Sequence, residues 1–170
     1  MGKVTIAACF ALACVLAART LPARQFPPPV PPPQAVTLPT PVERILSNGL
    51  TVVVLERHAL PVLTLDFVIK TGCEADPPDL PGTAQFAAAM LDEGTQTRSA
   101  MQIAAAIDDA GGTIDTGAEW DDSYVTIKVL SGNAPPAMNL LSDLVIHPAF
   151  RSAEVQRIRK LTLSALDVLR

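Results

Sequence analysis

Gly82-Thr83-Ala84-Gln85-Phe86-Ala87-Ala88-Ala89-Met90-Leu91-Asp92-Glu93-Gly94-Thr95 is the stretch on which the reading of this chain turns. Alanine loses the least on entering a helix, so residues 84–92 are predicted to be helical. Gly94 is placed to end that helix, because glycine adopts the backbone angles that close one. Immediately before it, residues 76–81 hold three prolines and two aspartates and read as a loop. Immediately after it, Ser99 is a fitting N-cap for a second helix. Met101, Ile103, Ala104 and Ile107 supply the apolar positions of that helix, and Gly111-Gly112 stops it.

Strand patterns flank these helices. Asn48-Gly49 signals a turn, and residues 50–55 form a β-branched run that reads as a strand. After a break at residues 58–61, residues 62–70 alternate and predict a second strand, expected to pair with the first as a hairpin. Residues 113–118 and 123–130 predict an antiparallel pair with residues 119–122 as the turn. Asn133 is expected to cap a third helix, with Pro135 and Pro136 in its first turn and Leu140, Leu141, Leu144 and Val145 facing a core. That helix is predicted to stop at His147-Pro148. From Ser152 onward, Val155, Ile158, Leu161, Thr162, Ala165 and Leu169 mark a last amphipathic helix. The order ββααββαα predicts an α+β fold, a mostly antiparallel sheet packed against helices. The last helix meets no glycine or proline before Arg170, so the domain is expected to be truncated.

Composition separates the N-terminal part from the rest. Of the sixteen prolines among 170 residues, nine lie between Pro22 and Pro41. Residues 4–18 are apolar except for Thr5, behind a single charge at Lys3. A basic start, an apolar centre and small residues at the end describe a secretory signal peptide, assigned to residues 1–23. The run is shorter than the roughly 20 residues a spanning helix prefers, so no membrane span is expected to persist after cleavage. Ile6-Ala7-Ala8-Cys9 only loosely imitates a lipoprotein cleavage box, because the apolar stretch before it is too short. Residues 24–42 then form a proline-rich linker, favouring polyproline II at about 3.1 Å per residue. Signal cleavage would remove Cys9 and Cys14 and leave Cys73 with no intramolecular disulfide partner. Thirteen bases against seventeen acids provide no basic patch for nucleic acid. Export to a bacterial periplasm or cell envelope is the expected localisation.

The Gly82–Thr95 stretch resembles the active-site helix of the pitrilysin/insulinase family of zinc peptidases (peptidase M16), which shows G-x-A-H-F-L-E-H-M-L-F-x-G-T there. Other phrases resemble the same family in the same order. Leu46-Ser47-Asn48-Gly49-Leu50-Thr51-Val52 is similar to its opening strand, and Ala110-Gly111-Gly112 to its next segment. Asp143-Leu144-Val145-Ile146-His147-Pro148-Ala149-Phe150 resembles its L-x-D-x-L-x-x-P-x-F passage. The resemblance covers residues 43–170, taken as an M16-like N-terminal domain of the LuxS/MPP-like metallohydrolase type.

The resemblance implies an inverted H-x-x-E-H motif, in which two histidines on one helix hold zinc and a glutamate acts as base on the metal-bound water. Laid on this chain, the first histidine position is Gln85, the base Ala88, the second histidine Ala89, and the distal glutamate ligand falls at or next to Ala165. An amide is a poor zinc ligand and a methyl group is none. A missing general base alone typically removes roughly 10² to 10⁴ in rate. The chain is therefore expected to hold no catalytic residue, no cofactor and no metal, with zinc only in a partner subunit.

The remaining polar residues carry bland readings. His147 reads as a structural residue at a helix end, and His58 as a solvated turn residue. Asp108-Asp109 and Asp121-Asp122 read as a helix face and a hairpin turn rather than a metal site, and Cys73 lacks any accompanying nucleophile pattern. Gly111-Gly112 follows a helix rather than a strand, so it is not a phosphate loop. The family resemblance implies a heterodimer, with a catalytic M16 sister subunit as partner and a peptide substrate held at a sheet edge by main-chain pairing. A stand-alone peptide-binding or structural module, and a residual zinc metalloendopeptidase with replacement ligands, are the alternatives.

Overall fold

The computed structural model describes residues 39–168. The expected signal peptide, Cys9, Cys14 and residues 24–38 of the expected linker lie outside the described residues. The chain divides into two compact units, one through Leu55 and one from Glu56 onward.

In the first unit, β1 (Val42–Ile45) and β2 (Thr51–Val54) form an antiparallel hairpin, with Val42 opposite Val54 and Ile45 opposite Thr51. Gly49 takes a φ of +85° in the turn, and the Leu50 N–H donates to the Asn48 side chain at 3.1 Å. The Asn-Gly pair thus makes the turn that its sequence predicts. Its strand β1 escaped the sequence reading, because Val42-Glu43-Arg44-Ile45 is short and half charged.

In the second unit, β3 (Val62–Ile69), β4 (Thr113–Ala118) and β5 (Ser123–Leu130) form an antiparallel sheet in the order β3-β5-β4. The expected hairpin between the strands at 50–55 and 62–70 is therefore corrected: β2 pairs with β1, and β3 pairs with β5 along its whole length. The apolar alternation of β3 explains the choice. Leu63, Leu65 and Phe67 lie opposite Val129, Ile127 and Val125, placing one continuous apolar row on one face of the sheet. The β4–β5 hairpin falls where the sequence puts it, with Ile114 opposite Ile127.

Among the described residues four α-helices accompany this sheet: α1 (Thr83–Ala88), α2 (Ala100–Asp109), α3 (Ala134–Ile146) and α4 (Ser152–Val168). Ile103, Ile107 and Ala110 from the α2 region, and Ala137, Leu140 and Leu144 from α3, close on Val125, Ile127 and Val129 of β5. Leu144, Val125 and Ile127 are fully buried. Burying each such side chain contributes about 1.5–3 kcal/mol, so this β5 contact holds the unit together. The opposite face of the sheet carries Thr64, Asp66, Thr126, Asp115 and Lys128, as the period of two demands.

Ser99 caps α2 through a capping box, its hydroxyl accepting from the Gln102 N–H while the Gln102 side chain accepts from the Ser99 N–H at 2.9 Å. Asn133 makes no such bond at α3. It lies at the end of a 3-10 turn, Ser131–Asn133, and its amide donates to the Ala110 carbonyl at 2.9 Å, tying α3 to the end of α2. The α1 helix is shorter than the predicted 84–92. After Ala89 the bonds tighten from i+4 to i+3, with Met90 N–H to Ala87 O and Glu93 N–H to Met90 O, giving a 3-10 turn at Leu91–Glu93. That turn buries Met90 and delivers Gly94 at φ +138°. Among the described residues no helix is long and apolar enough to cross a membrane.

Candidate functional site

The four motif positions fall in different environments. Gln85 is exposed on α1, and its Oε1 accepts the Ala118 N–H at 3.4 Å, so the helix sits against the end of β4. Ala88, one turn further on, is only 3% exposed. Ala89 is half-buried at the helix end, and Ala165 is exposed on α4. The side chains present here offer one neutral amide oxygen, already accepting a backbone N–H, and three methyl groups. That set does not fit a zinc ion, which takes nitrogen, thiolate or carboxylate ligands. Among the described residues no three His, Cys, Asp or Glu side chains converge as a metal-binding group.

The other polar residues are dispersed. His58 meets Glu56 at 3.4 Å on the surface, and His147 forms the end of α3, its carbonyl accepting the Gln96 N–H at 2.9 Å. Cys73 lies half-buried in a 3-10 turn, Cys73–Ala75, as a free thiol. Its N–H donates to the Glu119 carbonyl at 2.9 Å, so this turn is clasped to the β4–β5 loop. Asp108 and Asp109 are exposed at the end of α2, and Asp121 and Asp122 occupy the 119–122 turn as read from the sequence.

Negative charge gathers around β4. The Asp115 carboxylate beside Tyr124, with burial and the charges of Glu119 and Asp122, pushes the phenol above its usual range. The Tyr124 ring lies over Gly117, where a Cβ would come within 2.6 Å of the hydroxyl. Burial, with Glu93 next to it, also raises the Asp92 carboxyl. Glu93 is paired with Arg157 of α4, which also bonds Glu154 at 2.7 Å.

A buried polar knot that sequence reasoning missed holds the segment after α1. Asp143 on α3, 8% exposed, accepts the hydroxyls of Thr95 and Thr97, both at 2.8 Å, and a guanidinium N–H of Arg98. Burial alone would raise this carboxyl, but those three donors and the Arg98 charge outweigh it and hold it below the usual carboxylate range. Arg151 closes the knot from outside, donating to the Thr95 carbonyl at 2.7 Å and the Arg98 carbonyl at 3.2 Å. A lone aspartate amid apolar α3 positions was the available signal.

The antiparallel sheet with its four flanking helices is an α+β domain, and the sequence profile of the insulinase family (peptidase family M16) matches residues 51–169. The chain belongs to that family. It is 30% identical over 112 residues to an uncharacterized zinc protease of Rickettsia bellii, a match covering 66% of this chain and 27% of the relative. It is 28% identical over 134 residues to the mitochondrial-processing peptidase subunit beta of Bos taurus, covering 78% of this chain and 27% of that protein. A crystal structure described as a peptidase M16 inactive domain from Pseudomonas fluorescens superposes with a TM-score of 0.70 at 25% identity, covering 75% of this chain and 31% of that one. The chain thus spans about a quarter of the length of the curated relatives it matches.

Proposed function

We propose that this chain is a catalytically inactive M16 homologue, exported to the bacterial periplasm or cell envelope, that serves as the non-catalytic partner of a zinc-dependent peptidase. One observation carries the reading: Gln85, Ala88, Ala89 and Ala165 stand where the family's ligands and base would be, while the sheet and helices around them are intact. Without a metal-bound water and a base, no hydrolytic step can be assigned to these residues. The name of the bovine relative, a beta subunit, supports assembly as the mode of action. Substrate would pair along the outer edge of β4, which runs beside α1 and, among the described residues, has only β5 as a neighbour in the sheet.

Co-expression of the full chain with a sister subunit bearing H-x-x-E-H tests the proposal. The expected result is a co-purifying complex that cleaves peptides, with zinc in the sister alone. Strictly monomeric behaviour beside the sister, or about one zinc per isolated chain by elemental analysis, overturns it. Export is tested separately, by N-terminal sequencing of the periplasmic protein, with a start within or just after residues 17–23 expected. The open β4 edge also supports a second reading, a stand-alone peptide-binding module, which predicts peptide binding where no sister subunit exists.

A further inference from the structure

The edge of β4 and the Gln85 amide together form a more specific device. The Glu119 N–H donates to the Asp122 carbonyl at 2.8 Å, so these two residues are a hydrogen-bonded pair of the hairpin. Pairs alternate along an antiparallel ladder, so Ala118, opposite Ser123, turns its N–H away from β5. The same parity turns the peptide groups of Thr116 and Ile114 outward. β4 pairs with no strand on that side among the described residues. The Ala118 N–H is taken by Gln85 Oε1 at 3.4 Å, whereas the Gln85 Nε2 has no hydrogen-bond partner among the described residues. A primary amide has the donor and acceptor pattern of a peptide group, with its acceptor here turned to the strand and two N–H donors left over.

We infer that Gln85 is a main-chain clamp, inserting one amide rung between Ala118 of β4 and a carbonyl of an extended peptide laid along the Ile114 and Thr116 edge. The inference rests on the proposed use of that edge and goes further, because it gives the residue at the first motif position a binding task. The clamp reads backbone rather than side chains, so it takes peptides of many sequences in extended form. It also requires a carbonyl acceptor from the peptide, since the Gln85 oxygen is already engaged.

The test uses the full chain and a labelled, capped octapeptide of alternating threonine and valine, followed by anisotropy and by the emission of Trp120. Trp120 is the only tryptophan, 72% exposed and two residues beyond Ala118, so it reports locally on the end of β4. The peptide is expected to bind the native chain, and a fully N-methylated version to bind far more weakly. Gln85→Glu keeps an acceptor for Ala118 but loses both donors, and is expected to weaken binding about tenfold. Gln85→Leu is expected to weaken binding likewise and, by removing the acceptor of the Ala118 N–H, to lower the melting temperature slightly, whereas Gln85→Glu keeps that acceptor and the native melting temperature. Equal affinity of the native chain and both variants overturns the clamp while leaving edge binding in place. No binding by the native chain, or its dimerisation through β4 in sedimentation, overturns edge binding and the clamp with it.

Discussion

Two neighbouring regions of this domain have kept very different things. The segment around Thr95, Thr97 and Arg98 is held by Asp143 through three hydrogen bonds from side chains, with almost no exposed carboxylate surface. The helix just before it, α1, carries alanines and one amide, Gln85. One region is a closed polar network and the other has no charged group at all. The difference teaches that the two regions tolerate change differently: a buried network fails as a unit if one member is lost, whereas an exposed position such as Gln85 can change without disturbing the packing.

The comparison can be broken most severely at its packed side. Leu144→Ala removes a fully buried side chain next to Asp143 and is expected to cost about 2–5 kcal/mol, read by denaturant unfolding. Asp143→Ala leaves two threonine hydroxyls and a guanidinium without their acceptor, and about 3 kcal/mol of destabilisation is expected by the same measurement. At the motif side, Ala88→Glu forces a carboxylate into a position 3% exposed and is expected to destabilise by about 1–3 kcal/mol. Gln85→His, by contrast, is expected to change stability by less than about 0.5 kcal/mol. Equal costs at Ala88 and Gln85 would erase the distinction between a packed and an open motif position.

Acid sharpens the same contrast. The Asp143 carboxyl is depressed in the folded chain, so its contribution to stability is complete above the ordinary aspartate value of about 3.9 and is lost as pH falls through the lower folded value. Asp92 has the opposite sign: its carboxyl is raised, so its ionised form is a burden at neutral pH that protonation relieves. The smallest expected effect is therefore Asp92→Asn, neutral or stabilising by a few tenths of a kcal/mol at pH 7 and without benefit at pH 3, measured as thermal shifts at both values.

Much of this arrangement was legible in the residues. Ser99 as an N-cap, Asn48-Gly49 as a turn, and the alternation of residues 123–130 each act locally, and each produced the expected element. What escaped was decided at long range. The alternation of β3 states which face is apolar but not which strand lies alongside, and β5, about sixty residues later, supplied the better-matched row. Asn133 looked like a cap because its local chemistry suits one, yet the carbonyl of Ala110 was the partner within reach. Nothing near Asp143 announces that its partners lie 45 to 48 residues upstream.

That separation governs when the α1–α2 connection can become ordered. Thr95, Thr97 and Arg98 pass over the nearby Asp92 and Glu93 and bond Asp143 of α3, so the loop is expected to order only once α3 has docked on the sheet. Within it, the Thr95 N–H bonds the Arg98 carbonyl, and the Arg98 N–H bonds the Thr95 hydroxyl at 2.9 Å. Solvent deuterium should therefore reach those two amides only when α3 detaches, which makes their exchange rates a direct gauge of the helix's docking equilibrium.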